Sequence, residues 1–86
     1  PNACSIELWS EYADPFEVYW LSPDGPPVKL ADVAPGASQN LNSFIGHKFF
    51  VESDGRKSPT IKCRKRSDNI YTIGRDFNLE EGSGEL

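Results

Sequence analysis

Turn-forming residues divide this chain into short segments, and their spacing limits the folds that it can adopt. Pro23-Asp24-Gly25-Pro26 and Pro35-Gly36 separate short runs that are rich in β-branched and aromatic residues. Runs of this kind, with turn signals at intervals of about eight to twelve residues, are typical of antiparallel sandwiches. No segment has a convincing helical periodicity. We therefore predict an all-β protein, a small antiparallel β-sandwich of about seven strands.

Alternation of apolar and polar residues sets the predicted strand boundaries. In the second strand, the apolar residues Phe16, Val18 and Trp20 share one face. Polar Glu17 lies on the other face, so this strand has one buried side. Along the whole chain, the same pattern predicts strands over residues 5–12, 16–22, 28–33, 37–44, 47–52, 60–66 and 69–73.

Glycine and proline positions predict the turns between these strands. Ala34-Pro35-Gly36 has the residue order expected of a type II turn. Gly46 is predicted to take a positive φ angle, because the chain must reverse sharply before the fifth strand. Residues 53–59 are polar and have nothing to bury, so we predict a surface loop there.

The length of 86 residues allows one small domain. We assign this domain to residues 1–79 and predict an acidic, glycine-rich flexible tail over residues 80–86. The sequence lacks a run of about 18 apolar residues. We therefore predict no direct insertion into a membrane.

The net charge of −4 conceals a basic segment in the second half of the chain. Three of its residues, Lys62, Arg64 and Arg66, share the outer face of the predicted sixth strand, opposite Ile61 and Cys63. We interpret this basic patch either as a solvated face that discourages edge pairing or as a surface for an acidic protein partner. The acidic remainder of the chain would repel phosphates, which argues against a nucleic-acid partner.

The two cysteines, Cys4 and Cys63, fall on inward-facing positions of their predicted strands. A bond between them would close a loop of about 58 residues and stabilise the fold by roughly 4 kcal/mol in the chain-entropy model. This interpretation favours an oxidising compartment, outside the cell or in an organelle lumen. The alternative is a pair of buried free thiols in a reducing compartment. Neither Cys-x-x-Cys nor a cysteine-histidine cluster is present, so we predict no structural zinc.

The residue patterns of common catalytic sites are missing, so we predict that the protein is not an enzyme and uses no cofactor. His47 is the one histidine, and there is neither a Gly-x-Ser-x-Gly elbow nor a histidine pair for a catalytic metal. Ser43 lies near His47 and could imitate a catalytic dyad. No carboxylate is evident to orient the imidazole, which argues against that chemistry.

A series of short motifs resembles the β-domain of the von Hippel-Lindau tumour suppressor family. The pattern is W-L-x-x-D-G, then P-G, then S-[YF]-x-G-H before an aromatic strand. In this chain the matching residues are Trp20-Leu21, Asp24-Gly25, Pro35-Gly36, Ser43-Phe44 and Gly46-His47. The resemblance implies a β-sandwich that recognises peptides by contact. We expect the β-domain alone, because no segment of this sequence could form the helical domain that recruits a ubiquitin ligase in that family.

The resemblance also implies a pocket for hydroxylated proline around the last motif. Ser43 and His47 match the family's serine and histidine, which supply a donor and an acceptor for the hydroxyl group. Phe49 takes the position of the family's pocket tryptophan, and Phe44 takes that of a tyrosine.

Two further candidate positions differ from the family in residue type. Leu30 corresponds to the pocket tyrosine of the third strand, and Asn42 corresponds to the histidine just before the serine. The alternative interpretation of the whole site is structural. In that interpretation Ser43 caps the turn, His47 hydrogen-bonds a loop carbonyl, and the core contains the aromatic residues Phe44, Phe49 and Trp20.

Two classes of function remain open. The first is a non-catalytic interaction module that binds an extended proline- or hydroxyproline-containing peptide. The second is a structural or accessory subunit of a larger multi-subunit assembly, or a domain appended to an enzyme such as a prolyl hydroxylase. In both cases the expected partner is a protein or a peptide.

Overall fold

The computed structural model describes residues 2–65 and 69–82, and within these ranges the chain is all β-strand, turn and loop, with no helix. None of the described residues belongs to a helix that is long and apolar enough to cross a bilayer. The strands are β1 (Ala3–Ser10), β2 (Phe16–Trp20), β3 (Val28–Val33), β4 (Ser38–Phe44), β5 (Lys48–Ser53), β6 (Arg56–Lys57), β7 (Ile61–Lys62), β8 (Asn69–Ile73) and β9 (Leu79–Glu81).

These strands form two sheets that share one core. The four-stranded sheet has the order β4-β1-β8-β9. In the five-stranded sheet the order is β3-β2-β5-β6, and β7 pairs with the other end of β5. Buried side chains from both sheets belong to a single apolar cluster, for example Leu8 from the first and Val18 from the second. The prediction of a small all-β, sandwich-like domain is therefore confirmed.

One strand pair departs from the predicted antiparallel arrangement. β1 and β8 run parallel, with a register that extends from Ile6↔Asn69 to Ser10↔Ile73. A parallel pair cannot be closed by a tight turn and needs a long connection. Here the connection from β1 to β8 comprises residues 11–68, which is most of the chain. No local turn signal can therefore predict this pairing.

The polar segment 53–59, predicted as a surface loop, contains strand β6. Asp54 and Gly55 form a two-residue turn between β5 and β6, and both have positive φ angles, of 50° and 82°. Asp-Gly is a preferred sequence for such a hairpin, because both central residues must accept the left-handed region. The loop prediction was wrong for Arg56 and Lys57, which form β6. Only Asp54 and Gly55 make the turn, whereas the prediction extended the turn over all of residues 53–59.

The predicted sixth strand, residues 60–66, is much shorter in the structure. β7 covers only Ile61–Lys62. Beyond it, the backbone N–H of Arg64 donates to the side-chain Oδ1 of Asn69 at 3.1 Å. A side chain therefore takes the donor that a longer strand would use. Arg66 lies outside the described residues.

The sheet extends beyond the predicted domain boundary at residue 79. β9 pairs with β8 through Ile73↔Leu79, Thr72↔Glu80 and Tyr71↔Glu81. Glu80 and Glu81, the first residues of the predicted tail, are thus strand residues. The last part of that predicted tail, residues 83–86, lies outside the described residues.

The predicted glycine turns are confirmed by their backbone geometry. The N–H of Ala37 donates to the carbonyl of Ala34 at 3.0 Å, and Gly36 has a φ of 80°. Gly46 has a φ of 96°. Both values lie in a region that residues with a Cβ atom rarely adopt, so glycine is needed at these two turns.

The inward-facing cysteines meet in the core. Cys4 and Cys63 are 3% and 0% exposed, and their sulfur atoms lie at disulfide-bonding distance. Their Cα atoms are 6.2 Å apart, which is within the range for a disulfide. The pair joins β1 of the four-stranded sheet to the segment after β7 of the other sheet.

Candidate functional site

The turn from Phe44 to His47 passes from the four-stranded sheet to the five-stranded sheet. Its closing bond runs from the N–H of His47 to the carbonyl of Phe44, at 3.1 Å. Two further backbone bonds fix it from outside: Ile45 donates to Asn2 at 2.7 Å, and Gly46 donates to Cys63 at 2.8 Å. The turn is therefore held by the rest of the fold as well as by its own geometry.

The imidazole of His47 is contacted on three sides. The indole of Trp20 stacks on it, with ring centres 5.5 Å apart and planes inclined by 21°. The ring of Phe44 meets it edge-on, also at 5.5 Å. The Oγ atom of Ser43 lies 3.2 Å from Nδ1. These contacts fix the orientation of the ring, and among the described residues Nε2 has no hydrogen-bond partner.

Apolar side chains are exposed around this histidine. Phe44 is 55% exposed, Ile45 is 41% exposed and Val28 is 44% exposed. Val28 is the cross-strand partner of Trp20, which in turn stacks on His47. We call the surface formed by Val28, Trp20, Phe44, Ile45 and His47 the His47 surface. A connected set of exposed apolar groups around a polar one is typical of an interaction site.

The structure brings together three of the six residues predicted to bind peptide, namely Ser43, Phe44 and His47. Phe49 is 2% exposed and lies in the core opposite Trp20. Because its side chain is buried, Phe49 can support the His47 surface but is not available to contact a ligand there.

The other two predicted residues occupy different positions on their strands from the ones that the resemblance implies. Asn42 follows the strand alternation to the outer face of the four-stranded sheet, opposite Ser5, whereas Ser43 faces inward opposite Cys4. Leu30 is 45% exposed on β3, where the register with β2 shifts. Such a bulge changes the direction of a side chain relative to its neighbours.

Part of the alternative structural interpretation is also corrected. Phe44 is exposed rather than core, and the side chain of His47 is bonded to Ser43 rather than to a loop carbonyl. Phe49 lies in the core, as that interpretation expected, whereas Trp20 is partly buried and packs against the core.

Sequence reasoning missed three residues of the His47 surface, namely Val28, Trp20 and Ile45. Trp20 was expected only as a core residue. Ile45 occupies a turn position, where an apolar side chain has no neighbouring strand to cover it. An apolar residue in a turn is unusual, and this signal was visible in the sequence. Val28 gave no comparable signal, because its alternation pattern is that of any edge strand.

The basic patch is only partly contained in the described structure. Lys62 and Arg64 are exposed, and Arg64 lies 3.7 Å from the carboxylate of Glu81. Lys62 is the cross-strand partner of Lys48. Two like charges at opposed positions repel each other, so this pair adds positive potential at some cost in stability. Arg66 is outside the described residues, and the acidic partner remains a prediction.

The outer face of the five-stranded sheet carries coupled ionisable groups. The hydroxyl of Tyr19 donates to the carboxylate of Glu17 at 2.5 Å, and Lys29 lies 3.4 Å from the same carboxylate. These bonds lower the pKa of Glu17, the tyrosine contributing most. The Glu17 bond raises the pKa of Tyr19. The pKa of Lys29 is raised, chiefly by its bond with Asp32, 2.9 Å away.

Among the described residues, no group of three or more histidine, cysteine, aspartate or glutamate side chains is arranged to hold a metal ion. The chain matches no protein-family model, and it matches no curated protein.

Proposed function

We propose that this domain is a non-catalytic interaction module, similar to the von Hippel-Lindau β-domain, that binds an extended proline-containing peptide at the His47 surface. The observation that carries the proposal is the fixed imidazole within exposed apolar side chains. Trp20, Phe44 and Ser43 hold the ring, and Nε2 has no hydrogen-bond partner among the described residues, which leaves it for a ligand.

The edge position of β4 supports the binding of an extended segment. β4 is the first strand in the order of its sheet and pairs only with β1 among the described strands. An added peptide strand can therefore use the unpaired backbone groups of β4, which supplies affinity without depending on sequence. Ser43 and Phe44 are the last residues of β4, so such a peptide would extend toward His47.

The surface chemistry favours a proline ring. A proline side chain is short and apolar, and the rings of Trp20 and Phe44 offer it flat contacts. His47 Nε2 would then bond a hydroxyl group on that ring. A site with a polar atom placed for a hydroxyl discriminates against the analogue that lacks it, because the polar atom is left unpaired.

Ser43 takes a different role from the one that the resemblance implies. Its Oγ lies 3.2 Å from His47 Nδ1, so we assign Ser43 the role of positioning the imidazole. The hydroxyl-reading group is then His47 alone. Replacement of Ser43 by alanine should reduce selectivity for the hydroxylated peptide more than it reduces binding of the plain peptide.

A titration with matched peptides tests the proposal. Two peptides that differ only in a central proline or 4-hydroxyproline are titrated into the wild-type chain, into His47→Ala and into the control Asn42→Ala. We expect preferential binding of the hydroxylated peptide, loss of that preference in His47→Ala, and no change in Asn42→Ala, whose side chain points away from that of Ser43. Absence of binding by both peptides would contradict the proposal.

The second candidate is a structural or accessory domain of a larger assembly, or one appended to an enzyme such as a prolyl hydroxylase. The burial of Phe49 favours it, because this removes the deep wall of the implied pocket and leaves a flatter apolar surface. The cysteine pair supports an oxidising compartment for either function. Purification of the native complex under mild conditions, with crosslinking at Phe44, separates a permanent neighbour from a transient peptide.

A further inference from the structure

The outer face of the four-stranded sheet contains a groove that the peptide site does not use. The groove has a volume of about 330 Å³, and its lining includes Ser5, Glu7, Asn40, Asn42 and Ile70. Glu7 pairs across the strands with Asn40 on one side and Ile70 on the other, and Ser5 pairs with Asn42. Ser5 is the small residue in this array, so the depression forms where its side chain is short.

An exposed aromatic ring stands beside this groove. Trp9 follows Glu7 by two residues on β1, so both side chains project from the same face of the sheet. The indole is 41% exposed, and its Nε1–H donates to the Glu7 carboxylate at 2.6 Å. This bond fixes the position of the ring next to the amide side chains.

The chemistry of the lining excludes several ligand classes. Among the described side chains that line the groove, none is a lysine or arginine, so this part of the lining offers no counter-charge to phosphates and other anions. Glu7 is the one carboxylate among the described lining residues. It is already bonded to Trp9, and a single carboxylate does not hold a divalent cation. β1 is paired on both sides, so an extended peptide cannot add to it as a strand.

The described lining favours uncharged ligands that have many hydroxyl groups. The amides of Asn40 and Asn42 each offer donors and an acceptor, and adjacent hydroxyls on a sugar ring require both. The apolar face of a pyranose ring packs on an indole, and Trp9 supplies one. We infer that this face of the sheet binds a neutral oligosaccharide, with Trp9 as the stacking platform and Asn40 and Asn42 as the hydroxyl-reading residues. The groove volume is within the usual range for small-ligand sites.

Binding is tested with four defined probes: cellohexaose, maltohexaose, mannohexaose and chitohexaose. Each is titrated into the chain while the amide side-chain signals of Asn40 and Asn42 and the indole N–H signal of Trp9 are followed by NMR. We expect at least one probe to shift all three signals, with a Kd of about 1 mM or tighter.

Variants separate this site from the His47 surface. Trp9→Ala and the double variant Asn40→Ala, Asn42→Ala should each weaken binding about tenfold or more, the scale of losing one good contact. Trp9→Phe, which retains a ring, should recover part of the affinity. Phe44→Ala is the matched control, since Phe44 is an exposed aromatic residue outside the groove, and it should bind normally. Circular dichroism verifies that each variant is folded.

The saccharide site does not depend on the proposed peptide function, and separate outcomes would contradict it. If none of the four probes shifts the signals, the groove is not a saccharide site. Binding that survives both Trp9→Ala and the double asparagine variant would also overturn it. Self-association in which the same three signals shift with protein concentration would instead assign this face to a second copy of the chain.

Discussion

Cys4 lies directly across the β1–β4 pair from Ser43, and its sulfur is at bonding distance from that of Cys63. The backbone of Cys63 in turn donates to His47 at 3.0 Å and accepts from Gly46 at 2.8 Å. The cysteine pair therefore links β1, which pairs with β4, to the segment that is hydrogen-bonded to Gly46 and His47. Its integrity should affect that surface as well as global stability.

Loss of the bond should lower stability strongly. The two residues are 59 positions apart in sequence, and closure of such a loop stabilises by roughly 4 kcal/mol in the chain-entropy model. Urea unfolding curves of the oxidised and reduced chain should differ by about this amount. Cys4→Ala, Cys63→Ala is the control, and reductant should have no further effect on it. Superimposable curves for the oxidised and reduced wild-type chain would show that the bond does not form.

Replacement of Gly46 by alanine should destabilise the domain and weaken the His47 surface. The φ of 96° at Gly46 is unfavourable for a residue with a Cβ atom, at a cost of roughly 1–2 kcal/mol. Space does not limit the substitution, because a Cβ at Gly46 meets no atom within 4 Å. Thermal unfolding measures the effect.

Gly25→Ala is the matched control for this backbone effect. A Cβ at Gly25 also has open space, but its φ lies outside the left-handed range. Its Tm should stay close to that of the wild-type chain. Equal losses in the two variants would mean that backbone conformation is not the reason for glycine at position 46.

The Glu17 carboxylate should make the stability of the domain depend on acid pH. Its pKa in the folded chain is below the ordinary value of 4.5, because Tyr19 and Lys29 bond the charged form. The stabilisation is present above that ordinary value and is lost as the pH falls through the lowered pKa. The stability difference between the wild-type chain and Glu17→Gln should therefore disappear in acid.

An NMR titration of the Glu17 side chain tests the cause of this shift. In Tyr19→Phe the pKa of Glu17 should rise toward its ordinary value, because the largest cause of the shift is removed. If the pKa is the same in the two chains, the hydroxyl bond does not produce it.

Arg56 should stabilise the end of the molecule away from His47. Its guanidinium lies 5.2 Å from the ring centre of Phe77 and donates to the carbonyl of Asp76 at 3.1 Å. The contact links β6 of one sheet to the turn after β8 of the other. Arg56→Ala should cost about 1 kcal/mol in chemical unfolding, whereas Arg75→Ala, an exposed residue of the same turn, should cost little. An equal effect of the two substitutions would exclude the guanidinium contact as the cause.

Features that depend only on neighbouring residues in the sequence could be predicted from local patterns. The alternation that places Phe16 and Val18 inward is visible in sequence, and both are at most 1% exposed. Gly36 and Gly46 were predictable for the same reason, since a turn needs a positive φ at a defined position. The inward parity of Cys4 and Cys63 likewise required only the period of two.

Features that depend on long-range pairing were not predictable in this way. The parallel β1–β8 pair joins segments from the two ends of the chain, and no local pattern records it. The bulge at Leu30 depends on how β3 meets β2. Asn42 was assigned to the site because the resemblance matches it to the histidine just before the serine, but adjacent strand residues face opposite sides. The stacking of Trp20 on His47 likewise required β2 to be paired with β5.

The most direct test of the His47 surface is to map where a peptide binds. The hydroxyproline peptide is titrated into the ¹⁵N-labelled chain, and shifts of the backbone and tryptophan indole signals are recorded. We expect the largest shifts at residues 43–47 and at the indole of Trp20, with little change at Tyr19 and Phe50, which stack on the outer face of the same sheet. Shifts centred on that outer face, or no shifts at any peptide concentration, would contradict a binding role for His47.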